Sequence, residues 1–435
     1  MAELASQGAP GPERGFAASV ALAPPAPSFV RDRILLGRTL REYLRGLVTP
    51  FNLVAAAVLV VGLPILVLRF WKGLGATTNL SQSAPWGIWI GFDMMVGIAL
   101  AAGGFVVGAA VQILGLERYH AIERPAILTA FLGYVMAVAG LLADLGRPWN
   151  IIQALFHYGT ASVLFEVAWC VMCYTTVLLL EFTLPFFEWL GWQRFVPKLR
   201  KALIALTVLS VIFSTMHQSA LGSLFLIMPT RLHPLWYSGT IFVLFFVSAV
   251  IAGICMVIVE STLSHRVFGG GARGTHGGVD ELTLGLGKAG ALVTFAYFFL
   301  KVQGVVDGHA WHHLATGWGA WFLVELVGFV LVPCLLFAYG VRHSQVRVVR
   351  SAAFLGVLGI VLNRLNVSVV ALNWQASQRY VPSWMEVMVS VTLVTIGILL
   401  FRWICNRLPI FREAAGAAGG GLAPARAAIP IRRRA

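Results

Sequence analysis

Ten long stretches of apolar residues, separated by short polar connections, dominate the chain from residue 51 to residue 405. Crossing a hydrocarbon core of ~30 Å takes about 20 apolar residues in a helix. Stretches of that order lie at 51–71, 86–114, 124–144, 161–187, 202–228, 238–262, 287–306, 319–341, 351–373 and 383–405. In lipid every backbone N–H and C=O must find its partner inside the protein, which leaves the helix as the natural spanning unit. The pattern predicts an all-α, polytopic membrane protein of about ten transmembrane helices. Several stretches exceed the minimum, so tilt or overhang is expected.

The polar segments divide the chain into a tail at 1–48, a transmembrane domain at 49–410 and a second tail at 411–435. Residues 1–28, rich in Ala, Pro and Gly, and the tail after Arg412 read as disordered. Between them and the first span, Arg31, Arg33, Arg38, Arg41 and Arg45 interleave with Ile34, Leu35, Leu40, Leu44 and Leu47. That is a basic amphipathic stretch suited to an anionic lipid surface. The longest connection, 263–286, carries Gly269 to Gly271 and Gly277-Gly278 and reads as flexible.

Composition sharpens the class. Hydrophobic residues make up 58% and charged ones 11%, whereas soluble domains carry about 25% charged residues. The formal net charge of +14 would suggest nucleic acid in a soluble protein, but here its distribution explains it. An even number of spans puts both termini on one side, and that side collects all but seven of the 32 basic residues. The exceptions are Arg69, Lys72, Arg147, Arg231, Lys301, Arg364 and Arg379. Such a bias predicts cytoplasmic termini and odd-numbered connections on the outside, the periplasm of a bacterial inner membrane. All five cysteines, Cys170, Cys173, Cys255, Cys334 and Cys405, fall in apolar runs, so no disulfide framework or zinc module is expected. No cleavable signal peptide is read at the N-terminus.

Ionisable residues at membrane depth mark candidate function. Asp93 lies eight residues into the second span, roughly 12 Å deep. Glu166 lies roughly 8 Å into the fourth span, and His217 roughly 16 Å from an outer exit of the fifth near Met228. Asp144 and Arg147 sit at the outer rim. Trp89 and Gln218 neighbour Asp93 and His217 along the chain. The expectation is one outer cavity in which Asp93, Glu166 and His217 exchange protons while Asp144, Arg147, Gln218 and Trp89 hold a ligand. Quinone chemistry moves two electrons and two protons and requires an apolar slot, hydrogen-bonding groups and protonatable side chains. The competing reading is that each polar residue simply packs helix to helix.

Glu166, Cys170, Cys173, Tyr174 and Glu181 lie on or near one face of the fourth span, a possible half of a proton path. Lys301, Glu325 and Arg364 form a second polar group, read as a structural charge network. The two groups echo each other: Trp86-Gly87-Ile88-Trp89 precedes Asp93, and Trp318-Gly319-Ala320-Trp321 precedes Glu325. His217 is the one histidine clearly inside a span, whereas haem b ordinarily takes a histidine from each side. No haem, iron–sulfur cluster or metal site is therefore expected, and Gly308 to His313 reads as a docking surface. With no carrier of its own, a redox role would need an electron-delivering partner.

Several runs resemble one family. They are Leu-Gly-Ala-Thr-Thr-Asn-Leu at 74–80, Pro-Trp-Gly-Ile-Trp-Ile-Gly-Phe-Asp at 85–93 and Arg-Pro-Ala-Ile-Leu-Thr-Ala-Phe-Leu-Gly-Tyr at 124–134. Asp-Leu-Gly-Arg-Pro-Trp at 144–149, Phe-Glu-Val-Ala-Trp-Cys at 165–170 and Ser-Thr-Met-His-Gln-Ser-Ala-Leu-Gly-Ser-Leu at 214–224 join them. Together they resemble the NrfD/polysulfide-reductase membrane subunits, above all those of hydrogenase-2-type nickel–iron hydrogenases. The resemblance implies haem-free helical bundles and a menaquinone site near the periplasmic face. It also implies an extrinsic periplasmic iron–sulfur subunit as electron partner, with a nickel–iron hydrogenase or another redox enzyme behind it. The family's membrane acidic residue corresponds to Glu166. A secondary transporter and a purely structural anchor stay open as other readings.

Overall fold

The computed structural model describes residues 29–157, 159, 161–268, 276–372, 374–376 and 378–411. The expectations of disorder at 1–28 and after Arg412, and of flexibility at the glycines 269–271, fall outside the described residues, whereas Gly277 and Gly278, expected in the same flexible connection, lie in the first turn of a helix that begins at His276.

Among the described residues, ten helices are long and apolar enough to span a membrane. They are α1 Pro50–Lys72, α2 Trp89–Ile113, α3 Glu117–Asp144, α4 Val163–Leu190, α5 Val196–Ser223, α6 Ile241–Val267, α7 Gly278–Asp307, α8 Gly317–Arg342, α9 Val346–Val370 and α10 Trp384–Cys405. The chain is thus a multi-pass integral membrane protein with the predicted helical architecture. Apart from an isolated antiparallel bridge between Leu232 and Leu372, the described residues form no strand pairing. The chain divides at Thr49 and Pro50 into an N-terminal unit and a large helical unit.

Within the helical unit, α2–α5 pack as one four-helix group and α6–α9 as another, while α1 and α10 pair with each other and lie against α2 and α3. The two groups join through α2 and α6, the most enclosed helices. Their contact is close because small residues meet there. A Cβ on Gly253 would come within 2.8 Å of the Ala102 carbonyl carbon, so only glycine fits. The outer helices α1, α5 and α10 turn large apolar side chains such as Val60, Ile204 and Ile398 outward, as lipid requires.

Four helix boundaries differ from the sequence expectation. Helix α5 ends at Ser223 rather than near Met228. The apolar run continues through Leu224 and Phe225, but these side chains turn into the core as a non-helical cap ahead of Pro229. His217 is therefore six residues from its helix end, roughly 9 Å rather than 16. Helices α3, α5 and α7 begin earlier than apolarity alone suggests, because Glu117, Arg118, Lys198, Arg200 and Lys201 reach from the first turns to the polar boundary.

Candidate functional site

Among the described residues, the predicted site residues occupy three separate surroundings rather than one shared lining. Asp93 stands on a π-helical stretch, Trp89–Val96, that widens α2 by one residue per turn. Its carboxylate faces α3 and α10: Ser390 Oγ donates to Oδ2 at 2.5 Å. Gly140 of α3 lets the helices close over it, since a Cβ there would lie 2.6 Å from Asp93 Cβ. His217, fully buried, faces the interior of the α2–α5 group. Glu166 is exposed on the first turn of α4, where a carboxylate offsets the positive end of the helix dipole. Its side chain faces out of the bundle because α4 turns Val167, Cys170 and Tyr174 inward.

Arg147 is exposed and Asp144 half-buried. The charge beside Asp144 is Arg69 of α1. The buried Arg69 guanidinium donates from Nε to the Ala143 carbonyl and from Nη2 to the Leu145 carbonyl. It thereby satisfies helix-end carbonyls of α3 that would otherwise lack partners. Trp89, 1% exposed, donates its indole N–H to the Glu386 carbonyl at 3.0 Å and so staples α2 to α10. Glu386 caps α10 together with Ser383 and accepts from the Tyr380 hydroxyl at 2.6 Å. Burial, then the bond to Glu386, pushes the Tyr380 phenol well above its usual range and fixes it as a donor. Trp89, Asp144 and Arg69 thus belong to the packing of the end opposite the termini.

The interior of α3–α5 holds a different arrangement. The His217 ring lies 5.7 Å from that of Tyr134, which meets Tyr174 edge-on at 4.6 Å. Tyr134 Oη, Tyr174 Oη, Ser214 Oγ, both His217 ring nitrogens and Gln218 Oε1 are buried without a hydrogen bond of normal geometry, with the Val167 backbone beside His217 and Ser210 beside Tyr174. Ser214 lies between the two phenols without reaching bonding geometry. Gln218 spends its amide N–H on the Ile98 carbonyl at 3.2 Å. Buried polar groups are paired almost everywhere in folded proteins, so this concentration marks a place for ordered water or a polar ligand.

Toward the terminal side the arrangement continues. Glu181 accepts from Thr207 Oγ1 and Ser210 Oγ, each at 3.3 Å. Beyond it, Glu123 accepts from Gln112 at 2.7 Å and pairs with His120 at 2.6 Å, and the His120 side chain is 65% exposed. A polar column thus runs from His120 through Glu123, Glu181, Ser210, Ser214 and the two tyrosines to His217. The sequence face through Glu166 and Glu181 is corrected accordingly: Glu181 and Tyr174 point inward, and Glu166 does not. The missed residues carried a readable signal. Thr207, Ser210, Ser214 and His217 recur every three or four positions and share one face of α5.

In the second group the expected charge network is present. Lys301 pairs with Glu325. Glu325 also accepts from Trp236 and Asn363 at 2.7 Å and from Asn366 at 2.5 Å. Arg364 reaches Asn363, the Phe245 carbonyl and Ser248, and stacks 3.8 Å over the Phe245 ring. A narrow crevice of about 10 Å³, room for a single water, lies beside this network between Thr294, Tyr297 and Asn363. Its apolar walls contain none of the residues singled out in the first group.

A quinone fits the donor set of the first group better than a haem does. Quinone oxygens accept hydrogen bonds, and His217 and the two phenols are unspent donors beside apolar Val167, Val171 and Leu221. A haem b would need a second histidine opposite His217, and the rings packed about it are those of Tyr134 and Tyr174.

Comparison with known proteins sets these features in a family. A protein of Nitratidesulfovibrio vulgaris is 48% identical over 380 residues, covering 85% of this chain and 96% of the relative. The probable Ni/Fe-hydrogenase 2 b-type cytochrome subunit of Escherichia coli is 32% identical over 359 residues, covering 81% and 90%. The integral membrane subunit of a menaquinone reductase of Nitratidesulfovibrio vulgaris is 28% identical over 377 residues, covering 79% and 87%. The family described as Polysulphide reductase, NrfD, matches residues 76–374, which contain both four-helix groups, the column and the charge network. The chain belongs to the NrfD polysulphide reductase family.

Proposed function

We propose that this protein is the haem-free, quinone-reactive membrane subunit of a respiratory oxidoreductase and that it works only within its complex. Electrons pass between an extrinsic iron–sulfur partner and a membrane quinone, menaquinone by analogy with one relative. Hydrogen oxidation by a nickel–iron enzyme is the source suggested by another. The charge bias of the loops supports cytoplasmic termini in a bacterial inner membrane, with the partner at the opposite, periplasmic end. A bound quinone would supply the two-electron, two-proton chemistry.

The observation that carries this reading is the cluster of underpaired buried groups in α3–α5. His217 can donate from one ring nitrogen and accept at the other, which suits it to hold a quinone oxygen and to pass a proton. Tyr134 and Tyr174 orient that ring, and Gln218 Oε1 offers an acceptor beside it. Glu181 holds or yields a proton next to the Ser210 hydroxyl. With water between Ser210, Ser214 and the phenols, the column would link quinone protonation to the cytoplasmic side, where His120 opens to solvent. Asp93, held by one serine, is a second protonatable group that lies outside this cluster.

Two measurements test the proposal. Gentle purification should bring down redox subunits containing iron–sulfur centres; a chain that purifies alone from native membranes removes the complex. In the intact complex, His217→Phe and Tyr134→Phe should weaken binding of a quinone analogue more than tenfold. Unchanged binding in both variants refutes the site.

A further inference from the structure

The segment just ahead of α1 carries a feature that electron transfer does not require. The helix Leu40–Gly46 opens with a full capping box: Glu42 N–H donates to Thr39 Oγ1 and Thr39 N–H donates to the Glu42 carboxylate. Leu40 is 61% exposed and Leu44 53%, and Leu47 continues the same stripe at 42%. This i, i+4, i+7 spacing makes one continuous apolar face. Arg41 and Arg45, four positions apart and both exposed, form the neighbouring face, with Arg38 ahead of them.

The charge on this segment is one-sided. Between residues 29 and 49 there are five arginines and two acidic residues, Asp32 and Glu42. Hydrogen bonds from Thr39, and then the charges of Arg31 and Arg38, hold the Glu42 carboxyl below its usual range. Glu42 is thus committed to the cap. The covalent chain restricts where the helix can go: three residues, Leu47, Val48 and Thr49, join Gly46 to Pro50, where α1 begins, and the Cα–Cα steps between them reach at most about 14 Å. A helix on that tether stays within the headgroup zone of the bilayer that α1 enters. An apolar stripe flanked by guanidinium groups matches that zone, acyl boundary below and phosphate above.

We propose that residues 38–48, built on the helix Leu40–Gly46, form an interfacial anchor selective for anionic phospholipid headgroups, with Arg38, Arg41 and Arg45 on the phosphates and Leu40 and Leu44 in the acyl boundary. The occupant is lipid rather than a soluble protein because the tether holds the stripe at the membrane and its charge complements an anionic leaflet.

The test is amide hydrogen exchange of the full chain in nanodiscs of phosphatidylcholine alone and of phosphatidylcholine with phosphatidylglycerol. Amides 40–48 should exchange at least tenfold more slowly with the anionic lipid. The triple variant R38Q/R41Q/R45Q, which keeps the capping box, should lose that slowing while α1–α10 exchange as before. L40S/L44S should lose it too. Inorganic phosphate added to the neutral discs should not reproduce it. Equal exchange in both lipids, slowing by free phosphate, or protection already complete in neutral discs, as a protein partner or second copy would give, each overturns the proposal.

Discussion

Helices α2 and α8 carry the same local device in different surroundings. Trp-Gly-x-Trp leads into α2 and opens α8, each helix widens into a π-helical stretch, and each sets a buried carboxylate seven residues after the first tryptophan of that motif. Glu325 on α8 is clamped by Lys301, Trp236, Asn363 and Asn366, which leaves it no unspent oxygen. Asp93 on α2 receives one hydroxyl, from Ser390. A carboxylate saturated by donors and a cation is fixed in charge and position, whereas a sparsely held one can change protonation state without collapse of its neighbours. The echo in sequence therefore marks a shared local shape, and the neighbours decide how tightly each carboxylate is held. The first four-helix group extends the contrast, since its His217–Tyr134 cluster is also underpaired.

This contrast can be broken most forcefully at Glu325. Replacing it by alanine strands Lys301 and Arg364 in the interior and should cost about 3–5 kcal/mol of stability, read from thermal unfolding of the solubilised complex. A small shift would mean that water already reaches the network. Next in size is an acid effect on the cap over α8. His233 rests against Trp236, which donates to Glu325, and against His313, Trp318 and Trp374. Burial, and then the neighbouring His313, lowers the His233 pKa from 6.5 to about 4. The fold therefore favours neutral His233. Its contribution is full above pH 6.5 and is lost as pH falls toward 4, by up to ~3 kcal/mol. In His233→Phe that part of the stability–pH curve should flatten.

On the chemical side the expected losses are in rate. His217→Phe or Tyr134→Phe should lower quinone turnover of the assembled complex about a hundredfold, as loss of a proton-handling group does, with unfolding temperature nearly unchanged. A parallel fall in stability would make the cluster a packing element like that of Glu325. Asp93→Asn keeps an acceptor for Ser390 and should cost under ~1 kcal/mol of stability while slowing turnover roughly tenfold. The smallest effect is expected at Glu166. With its side chain outside the bundle, Glu166→Gln should change turnover less than about twofold; a larger loss would return it to the proton path.

The sequence was legible where a residue's fate depends on its own chemistry. Asp93, His217 and Glu181 were marked by being ionisable inside apolar runs, and each is buried. Glu166 met the same criterion and is exposed, because depth along a helix does not set which way a side chain faces. Tyr134 drew no notice, since a tyrosine in an apolar run looks like any aromatic core residue. Only its unspent hydroxyl beside His217 and Tyr174 distinguishes it. Arg69 was counted as an exception to the charge bias, and its work on the carbonyls of Ala143 and Leu145 could not be foreseen from its position in α1.

What the chain determines by itself is the number of helices and the order of the polar residues along each, because transfer of a side chain from water to lipid depends on that side chain alone. What the tertiary structure decides is partnership. Ser390 reaches Asp93 and Glu386 reaches Trp89 across 297 positions of sequence, contacts set by the rotation and packing of helices that no local pattern encodes. Whether a buried carboxylate is clamped by a cation and amides, as in α8, or held only by hydroxyls, as in α2 and α4, follows from those partners.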